Sequence, residues 1–187
     1  KVVALANKES LVAGGRLITD LAHKHGATII PIDSEHSAIW QCLHHNAKTP
    51  FKKIVLTASG GALRNIPLEE LDSVTPERAL KHPTWKMGAK ITIDCATMMN
   101  KGLEVIEAMW LFNCTANDIQ VVIHPQSIVH SMVEFADNAL IAQLSTPSMD
   151  IPIQLALSYP ERLISDTKPL DFSLLSLDFS SPDFDRY

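Results

Sequence analysis

The amino-acid sequence predicts an α+β fold in which a mixed sheet is flanked by helices. Two short apolar runs, KVVALA (1–6) and ATIIPI (27–32), have the length and composition of buried strands. A helical repeat of apolar residues separates them, so the chain opens as a strand–helix–strand unit. After this opening, helices and strands follow one another without strict alternation, which favours a mixed sheet.

The remaining elements follow from the same patterns. A helix is expected over 11–25, with Gly26 at its end. The run KKIVLTA (52–58) predicts a strand that leads into Ser59-Gly60-Gly61. A turn at 136–139 joins the last two strands as a hairpin, and the Ser-, Asp- and Pro-rich tail (161–187) is expected to be an extended linker. The other expected elements are a helix over 35–45, helical pieces near 68–71 and 76–80, a possible strand at KITID (90–94), an amphipathic helix over 102–112, strands at QVVIH (120–124), IVHSMVEF (128–135) and LIAQLS (140–145), and a helix over 151–159.

Composition excludes several classes of protein. The formal net charge is −5 and no block of basic residues stands out, which argues against a nucleic-acid partner. No apolar run approaches the roughly 20 residues that span a membrane. The three cysteines form no CxxC pair, which predicts reduced thiols in a cytosol-like compartment. Because the chain starts directly on a buried strand, we expect that sequence preceding it is missing.

The most informative carboxylates stand at the end of the second predicted strand, in Asp33-Ser34-Glu35. Ligand sites in open α/β sheets gather at such strand ends. If the backbone is still extended there, Asp33 and Glu35 project to the same side, and two neighbouring carboxylates favour a hard cation such as Mg²⁺ or Mn²⁺. The alternative is a helix N-cap, in which Asp33 or Ser34 caps a helix that begins at Glu35.

A second group stands at the start of the predicted helix over 102–112. Asn100 and Lys101 fit an anion site there, because helix N-termini bind phosphate and lysine adds a charge. Glu104, with Glu107 one turn further on, lies close enough to join a metal site at the same end. The alternative is an ordinary helix start with acidic residues that match the helix dipole.

Three further motifs carry weaker signals. The glycines of Ser59-Gly60-Gly61 allow backbone N–H groups to approach a phosphate, although an ordinary tight turn has the same sequence. The tip HPTWKMG (82–88) either closes over a substrate or anchors its loop on the core. Lys8, in ANKES (6–10), either binds an anion at a strand end or belongs to a capping turn with Ser10 before the helix. His124, in HPQS (124–127), and His130 are interpreted as structural.

Taken in order, these motifs resemble those of the 1-deoxy-D-xylulose 5-phosphate reductoisomerase family. The resemblance runs the length of the chain, and ATMMNKGLE together with DSEH is very specific to the family. The motifs that carry it are ANKES (6–10), PIDSEH (31–36), SGG (59–61), HPTWKMG (82–88), ATMMNKGLEVIEA (96–108), HPQS (124–127) and the closing KPLDF…SSPDFDRY (168–187).

The resemblance implies a domain organisation and a reaction. Residues 1–32 would be the closing βαβ part of a Rossmann-type NADPH domain without its glycine loop, 33–160 the catalytic α+β domain, and 161–187 a linker toward a helical domain. The implied enzyme rearranges 1-deoxy-D-xylulose 5-phosphate and reduces it with NADPH to 2-C-methyl-D-erythritol 4-phosphate, a step of non-mevalonate isoprenoid synthesis. It would be a homodimer through the catalytic domain, located in the bacterial cytoplasm or the plastid stroma, and the isolated fragment is expected to be inactive.

Residue roles are also implied by the resemblance. The catalytic set would be Lys8, Asp33, Glu35 and Glu104, of which the three carboxylates hold the Mg²⁺ or Mn²⁺. Substrate would contact Ser34, Ser59, His82, Cys95, Asn100, Lys101 and Glu104; the flap would contain His82, Trp85 and Met87; and NADPH would meet Asn7, Glu9 and Gly88. Cys95 departs from the family's serine, and because a thiol donates weakly this puts one phosphate hydrogen bond in doubt.

Two other functions compete with this one. The chain could be a metal-dependent sugar-phosphate aldolase or isomerase without hydride transfer, which an NADPH requirement would exclude. It could also be a non-catalytic dimerisation domain that kept the fold. The complete set of carboxylates, Lys8, Lys101 and the flap argues against the second, because packing alone does not require them.

Overall fold

The computed structural model describes residues 1–44 and 49–187. It opens with strand β1 (Val2–Leu5), helix α1 (Lys8–Lys24) and strand β2 (Thr28–Pro31). The two strands pair in parallel, with Val2 opposite Thr28 and Leu5 opposite Pro31. The predicted strand–helix–strand opening is therefore confirmed.

Helix α1 begins earlier than the sequence indicated. The side chain of Asn7 accepts a hydrogen bond from the backbone N–H of Ser10 at 3.0 Å, so Asn7 is the N-cap and Ser10 lies in the first turn. The expectation that Ser10 precedes the helix is wrong, because the cap lies three residues upstream. Lys8 thereby becomes the first residue of α1 and is buried.

The main sheet has four strands in the order β4-β3-β5-β6. Its strands are β3 (Phe51–Ala58), β4 (Ile119–Ile123), β5 (Val129–Phe135) and β6 (Leu140–Leu144). Strand β3 is parallel to β4 and antiparallel to β5, and β5 is antiparallel to β6. The predicted mixed sheet is confirmed.

Five further helices accompany the sheet. Their bounds are α2 (Ser34–His44), α3 (Pro76–Ala79), α4 (Ala89–Ala96), α5 (Met99–Phe112) and α6 (Asp150–Ser158), with 3₁₀ turns at Leu68–Ser73 and Ala116–Asp118. The expected end of α2 at His45 lies outside the described residues. Within the described ranges, no helix is long and apolar enough to cross a membrane.

The possible strand at 90–94 is wrong, since these residues form the middle of α4. The alternation Ile-Thr-Ile suits a strand, but the segment is helical in the folded chain. Instead Gly88 begins a helix, and the Thr92 hydroxyl donates to the Gly88 carbonyl at 2.8 Å. Tertiary context therefore overrides local propensity here.

The core and one close helix contact position the cleft. The best-buried cluster joins α2 to the sheet and consists of Ile39, Cys42, Ile54, Leu56, Val133 and Phe135. Helices α1 and α5 meet at Gly15, where an added Cβ would lie 2.3 Å from the indole of Trp110. Because the glycine permits this approach, the start of α1 lies beside the start of α5.

The turn after β3 depends on two glycines with left-handed backbone, Gly60 (φ +79) and Gly61 (φ +68). A Cβ on Gly61 would lie 2.3 Å from the backbone carbonyl oxygen of Cys95. Backbone cannot move aside as a flexible side chain can. The turn therefore packs directly on the end of α4.

We expect Gly61→Ala to lower the free energy of unfolding by more than about 2 kcal/mol, because left-handed strain and overpacking add. Gly102→Ala is the matched control: Gly102 lies in α5 with nothing within 4 Å of an added Cβ, and it should gain up to about 1 kcal/mol. Urea unfolding of both variants measures the difference. Equal stability of the two would contradict the close contact.

Candidate functional site

A single cleft lies where β2 and β3 end and where α1, α2 and α5 begin. Most residues predicted for the site line it. These are Lys8, Asp33, Ser34, Glu35, Ser59, Trp85, Met87, Cys95, Asn100, Lys101 and Glu104. Segments far apart in sequence thus converge as the motifs indicated.

Three carboxylates face one another in this cleft. One oxygen from each of Asp33, Glu35 and Glu104 lies within 4.8 Å of the others. Glu104 is fully buried, and burial together with the charge of Glu35 raises the pKa of its carboxyl. An all-oxygen set of this kind fits a hard divalent cation. The N-cap alternative does not exclude it, because Asp33 precedes α2 while Glu35 lies in its first turn.

Two ammonium groups compensate these carboxylates. Lys8 Nζ lies 2.5 Å from Asp33 Oδ2 and 3.0 Å from Glu104 Oε1. Lys101 Nζ lies 2.9 Å from Glu35 Oε1 and also contacts Glu104. Burial alone would lower the pKa of both lysines, but the carboxylates, Glu104 foremost, raise it above the usual value. Both side chains are therefore charged and lie where a metal would compete with them.

A buried histidine, His36, contacts the backbone and side chains next to the three carboxylates. His36 Nε2 donates to the backbone carbonyl of Glu104 at 2.8 Å, and Nδ1 lies 3.2 Å from Glu107 Oε2. Burial would lower the pKa of His36, but the nearby carboxylates of Asp33 and Glu107 raise it to about 9. Burial raises the pKa of Glu107 to about 7. Sequence reasoning did not select His36, although it directly follows Glu35.

The predicted phosphate residues line the same cleft, and Asn100 and Lys101 contact the carboxylate cluster directly. Asn100 accepts from Lys8 Nζ at 2.7 Å and donates to Glu104. The hydroxyl oxygen of Ser59 accepts from the Gly61 N–H at 3.2 Å. Cys95 also lines the cleft, and burial followed by the charge of Glu104 raises the pKa of its thiol to about 12.

The loop 82–88 contacts the Ser59 turn of the cleft through His82. His82 Nδ1 accepts from the backbone N–H groups of Thr84 (3.1 Å) and Trp85 (2.9 Å). Nδ1 is thus unprotonated, so Nε2 carries the hydrogen and donates to Ser59 Oγ at 2.9 Å. Burial, followed by the charge of Arg64, lowers the pKa of His82. His82 therefore ties the loop to the Ser59 turn while the Trp85 side chain lines the cleft.

The residues predicted for NADPH lie outside the cleft. Asn7 caps α1 and donates to Glu9 at 2.8 Å, and Glu9 accepts from Lys90 at 2.7 Å. Gly88 precedes α4 and lines a neighbouring open cavity with His82 and Met87. These three residues mark a rim rather than a closed pocket.

The two downstream histidines have different surroundings. His124 Nε2 accepts from the backbone N–H groups of Ile128 and Val129, both at 3.1 Å, and the ring is fully buried. Its structural interpretation is confirmed. His130 Nε2 lies 2.8 Å from the Ser145 hydroxyl, and the ring also lines the cleft near Trp85, with ring centroids 6.2 Å apart.

Comparison with protein families matches two parts of the chain. Residues 29–112 match the 1-deoxy-D-xylulose 5-phosphate reductoisomerase C-terminal domain. Residues 144–187 match the DXP reductoisomerase C-terminal domain. The first match contains all the predicted metal and phosphate residues, whereas Lys8, predicted to contact the reacting end of the substrate, precedes it.

Whole-chain comparisons agree. The chain is 57% identical to the 1-deoxy-D-xylulose 5-phosphate reductoisomerase of Desulforamulus reducens, over 100% of this chain and 49% of the relative. A Geobacillus enzyme of the same name is also 57% identical, over 100% of this chain and 50% of its own length. The chain thus spans about half the length of the relatives it matches.

Solved structures show the same fold. A DOX-P reductoisomerase in complex with NADPH, fosmidomycin and magnesium superposes with a TM-score of 0.93 at 51% identity, covering 100% of this chain and 48% of that one. The Zymomonas mobilis enzyme in complex with NADPH gives a TM-score of 0.90 at 49% identity, covering 100% of this chain and 48% of its own.

His82 gives a test of the geometry that needs no ligand. Nitrogen NMR should find the Nε2–H tautomer and a titration midpoint below the ordinary value of 6.5. The folded state prefers the neutral ring, so His82 contributes its full stabilisation above the ordinary pKa of 6.5. This stabilisation is lost as pH falls through the lower folded-state pKa. His82→Gln should therefore reduce the fall in melting temperature between about pH 7 and about pH 5. An Nδ1–H tautomer would contradict this arrangement.

Proposed function

Because the chain belongs to the 1-deoxy-D-xylulose 5-phosphate reductoisomerase family, we propose that it supplies the metal- and substrate-binding part of such an enzyme. The reaction is the rearrangement of 1-deoxy-D-xylulose 5-phosphate and its reduction by NADPH to 2-C-methyl-D-erythritol 4-phosphate. The observation that carries the proposal is the convergence of Asp33, Glu35 and Glu104 on one point in a buried cleft. In this reading residues 1–32 close the NADPH domain, 33–160 form the catalytic domain, and 161–187 lead toward a further domain.

The proposed metal ligands are Asp33, Glu35 and Glu104. A bound Mg²⁺ or Mn²⁺ would act as a Lewis acid on the carbonyl and hydroxyl oxygens of the substrate. Asp33 Oδ2 is buried without a well-aligned hydrogen bond, which leaves it acceptor capacity for a cation. Lys8 and Ser34, both in the same cleft, would contact the reacting end of the substrate.

The phosphate is proposed to lie between the Ser59 turn and the start of α5. The Ser59 oxygen already accepts from His82 and Gly61, so its own hydrogen is free to donate to a phosphate oxygen. Asn100 and Lys101 lie in the first turn of α5, where backbone N–H groups favour an anion. A cation on the carboxylates would replace Lys101 as their partner and make its ammonium available to the phosphate.

The remaining proposed roles concern the surroundings of the substrate. Trp85 and Met87 line the cleft and would exclude water from it, together with His82. NADPH would meet the rim formed by Asn7, Glu9 and Gly88. We further propose a homodimer and, from the bacterial relatives, a cytoplasmic location. Exposed apolar side chains such as Leu140 and Leu157 offer surface for a second copy.

Turnover by the complete gene product tests the proposed function. With Mn²⁺ and 1-deoxy-D-xylulose 5-phosphate, the absorbance of NADPH should fall, and omission of metal should abolish the reaction. Cleavage or isomerisation without NADPH loss would instead favour the aldolase alternative, and no reaction would favour a dimerisation domain. Residues 1–187 alone should not oxidise NADPH, because they contain no glycine-rich dinucleotide loop.

Metal binding tests the carboxylate set separately. Glu104→Gln keeps the size of the side chain and removes its charge, so Mn²⁺ affinity should fall at least about tenfold. Glu134→Gln is the matched control, because Glu134 pairs with Lys52 away from the cleft. Electron paramagnetic resonance of free Mn²⁺ measures both affinities. If Glu104→Gln binds as tightly as Glu134→Gln, Glu104 is not a ligand.

A further inference from the structure

The C-terminal segment 176–187, here named the strap, runs from the end of β4 to the Ser59 turn. We propose that the strap positions the Ser59-Gly60-Gly61 turn for phosphate binding, with Tyr187 and Arg186 as positioning residues. The inference rests on the proposed function only in taking Ser59 as a phosphate contact. The sequence predicted a linker over this region, and the contacts described below go beyond that role.

The first anchor of the strap is on β4 and the loop after it. Ser180 and Ile123 exchange two backbone hydrogen bonds, at 2.8 and 3.0 Å. His124 Nδ1 donates to the Asp178 carbonyl at 2.9 Å, since its Nε2 accepts from two backbone N–H groups. Phe179 stacks on the same imidazole, with ring centroids 4.6 Å apart. These contacts fix the path of the strap.

A glutamine strengthens this anchor. The side-chain oxygen Oε1 of Gln126 accepts from the Asp178 backbone N–H at 3.3 Å, and the side-chain Nε2 of Gln126 donates to the Asp178 carboxylate. The histidine and glutamine of the HPQS motif thus both bind the strap. Both side chains therefore hold this segment in place.

The second anchor is the turn itself. The Tyr187 hydroxyl donates to the Gly60 carbonyl at 2.8 Å. The Arg186 guanidinium donates to the carbonyls of Leu63, at 3.1 Å, and Ile66. All three acceptors belong to the irregular stretch that follows β3, in which the Leu63 carbonyl also accepts from the Ile66 N–H at 3.1 Å.

These contacts act on the orientation of Ser59. The Gly60 carbonyl and the Gly61 N–H belong to one peptide unit, and that N–H donates to Ser59 Oγ. A hydrogen bond on the carbonyl end therefore restrains the donor on the other end. Left-handed glycines have wide backbone freedom, so such a peptide needs an external restraint to keep one orientation.

Tyr187→Phe in the complete gene product tests the strap, because it removes the hydroxyl and keeps the ring. Affinity for inorganic phosphate should fall about threefold to tenfold, and amide hydrogen exchange over 60–66 should accelerate, while Mn²⁺ affinity stays the same. Tyr159→Phe is the matched control, since that hydroxyl contacts His44 at the C-terminal end of α2, and neither residue lines the cleft. Unchanged exchange over 60–66 in Tyr187→Phe would overturn the proposal.

A double-mutant cycle separates positioning from general stability. In a Ser59→Ala background the effect of Tyr187→Phe on phosphate affinity should largely disappear, because the group that it orients is gone. A full, additive loss together with a lower melting temperature would show a purely structural role and overturn the proposal. Neither phosphate binding nor exchange requires turnover, so failure of the proposed reaction would leave these results interpretable on their own.

Discussion

The rest of the cleft depends on the ion pairs that the buried carboxylate of Glu104 forms with Lys8 and Lys101. A buried charge destabilises a fold unless opposite charges and hydrogen bonds compensate it. The two lysines come from different helices, so compensation requires the starts of α1 and α5 to meet. The contact of Gly15 with Trp110 allows that approach. Helix packing and cleft electrostatics are therefore one constraint.

The charges of the two lysines also affect how tightly a metal would bind to the carboxylates. Without ammonium groups, three facing carboxylates would repel one another, and the cleft would open or take up protons. With them, a divalent cation must compete with Lys8 and Lys101, so its net affinity is lower than the ligand set alone implies. In return, each displaced ammonium would become available to an anionic substrate. In the proposed site, such competition would link metal binding by the carboxylates to the recognition of a phosphate.

Local patterns predicted most of the elements, whereas contacts between distant segments were harder. The apolar runs and helical repeats indicated the mixed sheet and most of the helices, but 90–94 is helical although its alternation suited a strand. The family resemblance predicted that Glu104 joins Asp33 and Glu35 at one site. The spacing of these residues in the sequence does not predict it. The role of His36 and the docking of Tyr187 had no sequence signal, since each depends on a backbone carbonyl that only the folded chain presents.

Two parts of the cleft are built differently, and this bears on Cys95. The carboxylate cluster is carried by helices, whereas the Ser59-Gly60-Gly61 turn packs on the Cys95 backbone carbonyl. That contact does not involve the side chain, so the thiol leaves the turn's packing intact. Burial raises the pKa of the thiol to about 12, and the group therefore stays neutral and does not repel a phosphate. In the proposed phosphate site, a thiol in place of the expected serine would weaken one donor without adding charge.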